Sequence, residues 1–215
     1  MKKIYIIGAG GFGREVAWLI ERINCSAPVW EFCGFIDDDL GKRGQMEDGY
    51  RIVGGCDFLR ECGEEVWTVC AIGATITRKQ VVEKVMKYDN VRFATLVAPD
   101  VMHSSAVSIG EGSIVCAGTI LTVDITIGKH VIINLDSTVG HDAVIEDFVT
   151  ICPSVNVSGC TVVGRGAEVG TGVQIIQGKR IGCEAIVGAG AVVTKDIPDR
   201  CTAVGAPAKP IKFRK

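Results

Sequence analysis

VAPDVM HSSAVS IGEGSI VCAGTI LTVDIT IGKHVI INLDST VGHDAV IEDFVT ICPSVN VSGCTV VGRGAE VGTGVQ IIQGKR IGCEAI VGAGAV VTKDIP, residues Val97–Pro198, reads as seventeen six-residue blocks in unbroken register. Sixteen blocks open on Val, Ile or Leu, and His103 opens the other. The second place is often glycine, as at Gly110, Gly128, Gly140, Gly164, Gly170, Gly182 and Gly188, and the fifth is mostly small or β-branched. Neither a helix nor an ordinary sheet has a strict period of six, whereas a parallel β-helix does. One inward aliphatic per flat face stacks on its counterpart in the next coil and builds a continuous core rung by rung. β-branched residues suit the strands, and the glycines are expected at tight corners between them. A Val-rich sandwich would vary its strand and turn lengths.

Working outward, 215 residues suffice for one or two domains with a real core. Lys and Arg number 23 against 25 Asp and Glu, a balance that gives no reason to expect nucleic acid. No apolar run approaches a membrane span. The N-terminal MKKIYIIGAGGFGRE has two lysines and an apolar patch, but the patch is too short for a signal peptide and runs into a glycine turn. The ten cysteines are scattered, without C-x-x-C or metal-ligand spacing, so they read as free thiols in a reducing cytoplasm.

Lys3–Ile7 is expected to be a strand, followed by Gly8-Ala9-Gly10-Gly11-Phe12-Gly13 and a helix over Arg14–Ile23 with Val16, Ala17, Leu19, Ile20 and Ile23 on its apolar side. Strand, G-x-G-x-x-G, helix is the context in which this motif points to phosphate binding, because glycine admits close backbone approach and the helix start presents free N–H groups. A second strand, Trp30–Ile36, ends in Asp37-Asp38-Asp39, where acids can receive ribose hydroxyls or a base edge. A polar loop over 41–50, a strand at Ile52–Gly55, a helical piece near Asp57–Glu61, a strand at Val66–Ile72 and a helix over Thr77–Tyr88 complete a βαβαβα pattern and a small parallel sheet. Gly8, Gly10, Gly11, Gly13, Asp37, Asp38 and Gly73 should face one crevice beyond the carboxyl ends of the strands. The alternative is a glycine turn needed only for tight packing. A nicotinamide enzyme fits poorly, because the hexad repeat stands where a second α/β half would complete a dinucleotide site.

In the left-handed β-helices that this pattern resembles, three hexads make one coil, so residues eighteen apart share a vertical column. The expected fold is therefore a Rossmann-like α/β domain (1–95), a left-handed parallel β-helix (96–198) and a tail (199–215). Of the three histidines, His103 reads as a capping feature and His130, beside Lys129, as an exposed wall residue. His141 sits behind Gly140 and before Asp142, with Gly159 one coil along its column and Asn134 seven residues earlier. A base, a carboxylate able to orient it, a glycine N–H and an amide make a plausible acyl-transfer set. A lone surface histidine is the bland alternative. Neither Cys152 nor Cys160 has an evident basic neighbour in the sequence, so no cysteine acyl-enzyme is expected.

IIGAGGFGREV, GFIDDD, NLDSTVGHDAVIEDFVTICPSVNVSG, VGTGVQIIQG and VGAGAVVTKDIP together resemble, over essentially the whole chain, the sialic-acid O-acetyltransferase type of sugar acetyltransferase. That group includes N-acetyltransferases acting on nucleotide-linked 4-amino-sugars. The resemblance implies a homotrimer, acetyl-coenzyme A in the groove between subunits, and a nucleotide-sugar held partly by the N-terminal domain. It implies that His141 is the catalytic base, Asp142 its acidic neighbour, Asn134 a polar residue near the reacting centre, and Gly159 the backbone group that polarises the thioester carbonyl. Gly172, Ala189, Gly190 and Lys195 fall where the coenzyme runs, and Val204–Ala208 resembles the family's closing segment, so the tail is expected near the coenzyme. The chain departs from the family in IEDFVTI, where Glu146 and Thr150 stand in a segment that relatives often write closer to IGDFVHI. Ser154 stands where glycine is common. A second pocket histidine is thereby missing, which bears on the identity of the acceptor.

The expected activity is transfer of acetyl from acetyl-CoA to an amino group, or a hydroxyl, of a nucleotide-linked sugar, in bacterial glycan biosynthesis in the cytoplasm. A UDP-linked amino-sugar is preferred, with GDP- and dTDP-linked sugars and free sialic acid left open. Neither a metal nor membrane insertion is expected. Three readings compete with this activity: a non-catalytic nucleotide-sugar scaffold, a zinc enzyme of the γ-carbonic-anhydrase type, and acetylation of a non-sugar acceptor such as an amino acid.

Overall fold

In a computed structural model, which describes residues 1–214, the apolar N-terminal run forms strand β1 (Lys2–Ile7). Helix α1 (Gly11–Ser26) begins inside the glycine motif, three residues before the expected start, and buries Gly13, Val16, Ala17, Leu19 and Ile20. Strand β2 (Trp30–Ile36) follows, then β3 (Met46–Glu47), β4 (Tyr50–Gly54), α2 (Asp57–Glu61), β5 (Val66–Cys70), α3 (Thr75–Val85) and β6 (Val91–Phe93). The sheet order is β3-β4-β2-β1-β5-β6, parallel except for β3. β1, wholly inside the core from Ile4 to Ile7, lies between β2 and β5, so the strand order turns at its carboxyl end.

The expected polar loop over 41–50 is a hairpin instead. Asp48 and Gly49 both take positive φ, 47° and 83°, and join β3 to β4 as a two-residue turn. That geometry matches the right-handed strand twist, and Asp-Gly is its strongest sequence signal.

Residues Met1–Pro99 and Asp100–Lys215 form two compact units. The second is a left-handed parallel β-helix of two-residue strands. Each strand pairs with the one eighteen residues on, as Ile114 with Ile132 and Ile132 with Thr150, Thr138 with Asn156 and Asn156 with Gln174, and Val144 with Val162 and Val162 with Arg180. The first place of each hexad points inward: Val115, Leu121, Ile127, Ile133, Val139, Ile145 and Ile151 are all at most 2 % exposed. The fifth place is inward too, and its hydroxyls bond to coil carbonyls, as Ser113 Oγ to Gly128 O at 2.9 Å. Each fully buried Val or Ile contributes roughly 1.5–3 kcal/mol over an exposed one, so the stack carries its own core. Cys201–Val204 adds a last parallel rung to Ile186–Val187, and Lys209–Phe213 folds back antiparallel on it. The final residue of the expected tail, Lys215, lies outside the described residues.

The second-place glycines stand at the corners, but they do not supply the left-handed turn there. Positive φ falls instead at the fourth place, at fourteen successive positions from Gly112 to Gly190, and eight of these are not glycine. The second-place glycines answer a different need, the close passage of the next coil. A Cβ on Gly140 would sit 2.6 Å from Gly159 N, and one on Gly170 would sit 2.7 Å from Ala189 N.

Candidate active site

The strand Thr138–Val139 delivers the chain to a corner occupied by Gly140, His141 and Asp142. Asp142 takes the left-handed conformation, φ 59°, which short polar side chains tolerate. That turn brings its carboxylate back on its neighbour: Asp142 Oδ2 lies 2.7 Å from His141 Nδ1, although adjacent residues at a corner need not face each other. The pair is half exposed, at 50 % and 60 % of the side-chain surface. Assigning the proton to Nδ1, as this contact favours, leaves the Nε2 lone pair available. The imidazole lies over Gly159, where a Cβ would come within 2.5 Å of Nε2. Glycine is therefore required beneath the ring by space rather than by backbone angle.

Three third-place backbone N–H groups are met by acidic side chains. Lys129 N donates to Asp147 Oδ1, Arg165 N to Glu146 Oε2 and Cys183 N to Asp199 Oδ1, each at 2.8 Å. At Gly159, as at His141, Gln177 and Ala189, no acceptor among the described residues takes the N–H, and Gly159 is the one of these that lies beneath the His141 ring. Glu146, the departure from the family pattern, thus has a structural task, with Arg180 3.8 Å from its other oxygen. Thr150 is buried on its rung and Ser154 takes φ 58°, with its hydroxyl 3.3 Å from Asp136 Oδ2.

The remaining candidates in this unit divide between two corners. Lys195 is exposed and lies three coils along the His141 column. Asn134, Gly172, Ala189 and Gly190 lie on the corner that follows the Ile132–Ile133 face, at the other end of the Thr138–Val139 rung from His141. Asn134 turns its amide oxygen onto Leu135 N at 2.8 Å, so it does not reach His141 within one chain. Gly172 and Gly190 are stacked one coil apart with positive φ and open space where a Cβ would point. Such bare backbone is a surface along which an extended thioester chain can lie.

Two expectations need correction. His130 is not an exposed wall residue: it is 3 % exposed, stacked on Phe148 with centroids 5.1 Å apart, and covered by Gly112, whose Cβ would collide with it. That removes it as a ligand for an interface metal, while His103 is exposed beside Ser104 O. Cys160 does have a basic neighbour. A ring nitrogen of His141, a carboxylate oxygen of Asp142 and Cys160 Sγ all lie within 4.8 Å of one another. Cys160 is at the diagonal of His141, nineteen residues on, and so outside the column of residues eighteen apart. Cys152 is different, since burial, with Glu168 adding to it, pushes its thiol up. All ten cysteines are free thiols.

In the N-terminal unit a crevice of about 410 Å³ opens at the carboxyl ends of β1, β2 and β5. Gly8, Gly10, Asp37 and Asp38 line it, together with Ile72 and Thr77; Gly11, Gly13 and Gly73 do not. Gly8 takes φ 105°, and a Cβ on Gly13 would collide with Gly8 O, so Gly13 serves helix–strand packing. Gly10 has open space, so its bare backbone faces the crevice. The acids are already partly engaged. Asp37 accepts from Lys42 Nζ at 2.9 Å, Asp39 N at 3.0 Å and Ala9 N at 3.4 Å, and Asp38 accepts from Cys56 N at 2.7 Å. Partial burial alone would raise the Asp37 carboxyl, but the Lys42 and backbone hydrogen bonds outweigh it and hold the group below its ordinary value. Sequence reasoning missed Arg78, 1 % exposed, which donates to Ile72 O at 2.8 Å and Gly73 O at 3.0 Å and so braces the crevice wall.

Residues 3–85 match the family model described as the PglD N-terminal domain. The chain is 30% identical over 219 residues to GDP-perosamine N-acetyltransferase of Escherichia coli O157:H7, covering 96% of this chain and 95% of that protein. Among solved structures it is similar to the acetyltransferase domain of PglB from Neisseria gonorrhoeae in complex with acetyl coenzyme A. That similarity has a TM-score of 0.88 and 31% identity, and covers 98% of this chain and 99% of that one. It is also similar to PerB from Caulobacter crescentus in complex with CoA and GDP-perosamine, at TM-score 0.86 and 30% identity over 99% and 98% of the two chains.

Proposed function

The chain belongs to the hexapeptide-repeat nucleotide-sugar acetyltransferases, and from that premise we propose that it moves acetyl from acetyl-CoA to the amino group of a nucleotide-linked sugar. It is an acetyl-CoA-dependent acyltransferase. The observation that carries the residue-level reading is the Gly159 N–H, left without a protein acceptor beneath an imidazole whose Nδ1 is held by Asp142. His141 Nε2 accepts the proton of the acceptor amine as the nitrogen attacks the acetyl carbon. Asp142 fixes the tautomer and balances the imidazolium. Gly159 N–H meets the developing oxyanion, and coenzyme A leaves as a thiolate that takes up the proton. General-base assistance is worth roughly 10²–10⁴ in rate and an oxyanion donor about 10²–10³, and both act in a direct transfer without a covalent enzyme.

Gly172, Ala189, Gly190 and Lys195 are the residues we assign to the coenzyme, on the open glycine corners. These and Asn134 occupy two corners of a three-sided coil, so one corner of one copy must meet the other corner of a second to form a complete site. A head-to-tail contact of this kind generates a ring where its rotation closes, and a three-sided coil suits a homotrimer with active sites between subunits. The N-terminal crevice is assigned to the nucleotide. Relatives whose names carry GDP-perosamine put a GDP-linked amino-sugar on equal terms with the UDP-linked one preferred from sequence. Glycan biosynthesis in the cytoplasm fits this acceptor class and ten free cysteines; among the described residues no helix is long and apolar enough to cross a membrane.

The test is coenzyme A release against UDP-, GDP- and dTDP-linked amino-sugars, with free sialic acid and serine as controls. Turnover of at least one nucleotide-linked amino-sugar and neither control is expected. Turnover of a control alone would overturn the acceptor class, and turnover of none would favour the scaffold reading.

A further inference from the structure

Asp142 and Cys160 occupy equivalent fourth places in consecutive coils, both in the left-handed conformation at φ 59° and 55°, and both exposed. Cys160 N donates to His141 O at 2.8 Å and Asp142 N to Val123 O at 3.2 Å, so the coil ladder holds the two backbones in step. From these fixed corners an imidazole nitrogen, a carboxylate oxygen and a thiol sulfur converge within 4.8 Å. Imidazole, carboxylate and thiolate are the zinc donor set, and three protein ligands leave a fourth position open. A deprotonated Cys160 and an ionised Asp142 together balance the two charges of the ion, and binding releases the thiol proton to solvent.

We infer that His141, Asp142 and Cys160 form an inhibitory Zn²⁺ site laid over the acyl-transfer residues. Bound at Nε2, the ion occupies the lone pair that would receive the acceptor proton; bound at Nδ1, it displaces the ring proton to Nε2; either way it draws Asp142 from its orienting role, so the enzyme is silent while the metal is bound. Cys160 itself has no part in the transfer. The inhibitory half of this inference rests on the function proposed above; the metal-binding half does not.

The experiment uses the full chain freed of metal with a chelator. Co²⁺ replaces Zn²⁺ as a spectroscopic probe, and coenzyme A release is followed with a nucleotide-linked amino-sugar over a buffered Zn²⁺ series. Wild type is expected to show a near-ultraviolet thiolate-to-cobalt charge-transfer band and to lose activity with Zn²⁺, regained on chelation. Cys160→Ser should keep its metal-free activity, lose the band and require at least roughly tenfold more Zn²⁺ for inhibition. Cys160→Gly, which accepts the positive φ, serves if the serine variant folds poorly, and Cys25→Ala controls for the other exposed thiol. A wild type without the band, or a Cys160 variant with unchanged zinc sensitivity, overturns the inference. A metal-free wild type that binds cobalt but transfers no acetyl group instead removes the proposed function and the inhibitory half together.

Discussion

The imidazole of His141 rests on Gly159 so closely that a methyl group there would stand 2.5 Å from Nε2. Gly159 does not carry a positive φ, so alanine can follow the same backbone but cannot share the space. Gly159→Ala should push the ring off its station and obstruct the N–H below it. A loss in kcat on the order of 10²-fold is expected, with a thermal midpoint near that of wild type. Retention of more than a third of wild-type kcat would separate Gly159 from the reaction.

His141→Ala should lower kcat/KM by at least about 10²-fold, and Asp142→Ala by less, because the carboxylate acts through the imidazole. Asp142→Asn keeps a residue suited to positive φ and an oxygen able to accept from Nδ1. It should therefore retain more activity than Asp142→Ala at equal protein stability. Equal loss in the two variants would show that charge, rather than orientation, is what Asp142 supplies.

Gly10 and Gly13 belong to one motif and should fail differently. Alanine at 13 meets the Gly8 carbonyl, so Gly13→Ala should cost about 1–3 kcal/mol or more in urea unfolding. Gly10→Ala meets nothing in the protein and should leave stability unchanged while raising KM for the nucleotide-sugar. Wild-type KM in Gly10→Ala would remove that backbone from the acceptor site.

Asp37 gives the N-terminal unit an acid-sensitive contact. Its folded-state carboxyl is held below the ordinary value, against the pull of partial burial, chiefly by Lys42, with the N–H groups of Asp39 and Ala9. The stabilisation is therefore complete above the unfolded value of about 3.9 and disappears as pH falls through the lower folded value. Comparing thermal midpoints of wild type and Asp37→Asn, the gap at neutral pH should narrow only below about pH 4. A gap independent of pH would mean that packing, not the carboxylate, is what the substitution removes.

His130 offers a control for His141. It is buried in a stack with Phe148 on a different corner, at φ 54°. His130→Asn suits that backbone and should cost about 1 kcal/mol through the lost ring contact, with kcat within twofold of wild type. A large kcat effect at full stability would place His130 in the reaction.

The repeat was legible because an inward aliphatic must return whenever the coil returns, so Val115 through Val193 spell the fold directly. The corners were not, because their demands are made by the neighbouring coil. Gly140 is glycine for the sake of Gly159 N, and no periodicity in one strand reveals a contact with the next. His130 looked polar and exposed beside Lys129, yet a corner roofed by Gly112 and floored by Phe148 encloses it. The hairpin at Asp48-Gly49 was readable from that dipeptide and was missed among polar neighbours. At the site, the His141 column led to Gly159, while Cys160 needed the diagonal. Asn134 shows the opposite limit: seven residues away in sequence is a different corner in space.

The left-handed fourth place recurs from Gly112 to Gly190 whatever residue occupies it, and from His130 onward each such N–H donates to a carbonyl of the coil before it. The backbone is thus a ruler with identical divisions, spaced by the interstrand distance of about 4.8 Å. No backbone angle distinguishes the division bearing His141 from its neighbours, so on the proposed assignment the address of the reaction is written in side chains. Under the proposed assignment, transposing histidine, aspartate and the underlying glycine by eighteen residues would carry the chemistry one division along, out of step with the corner assigned to the coenzyme.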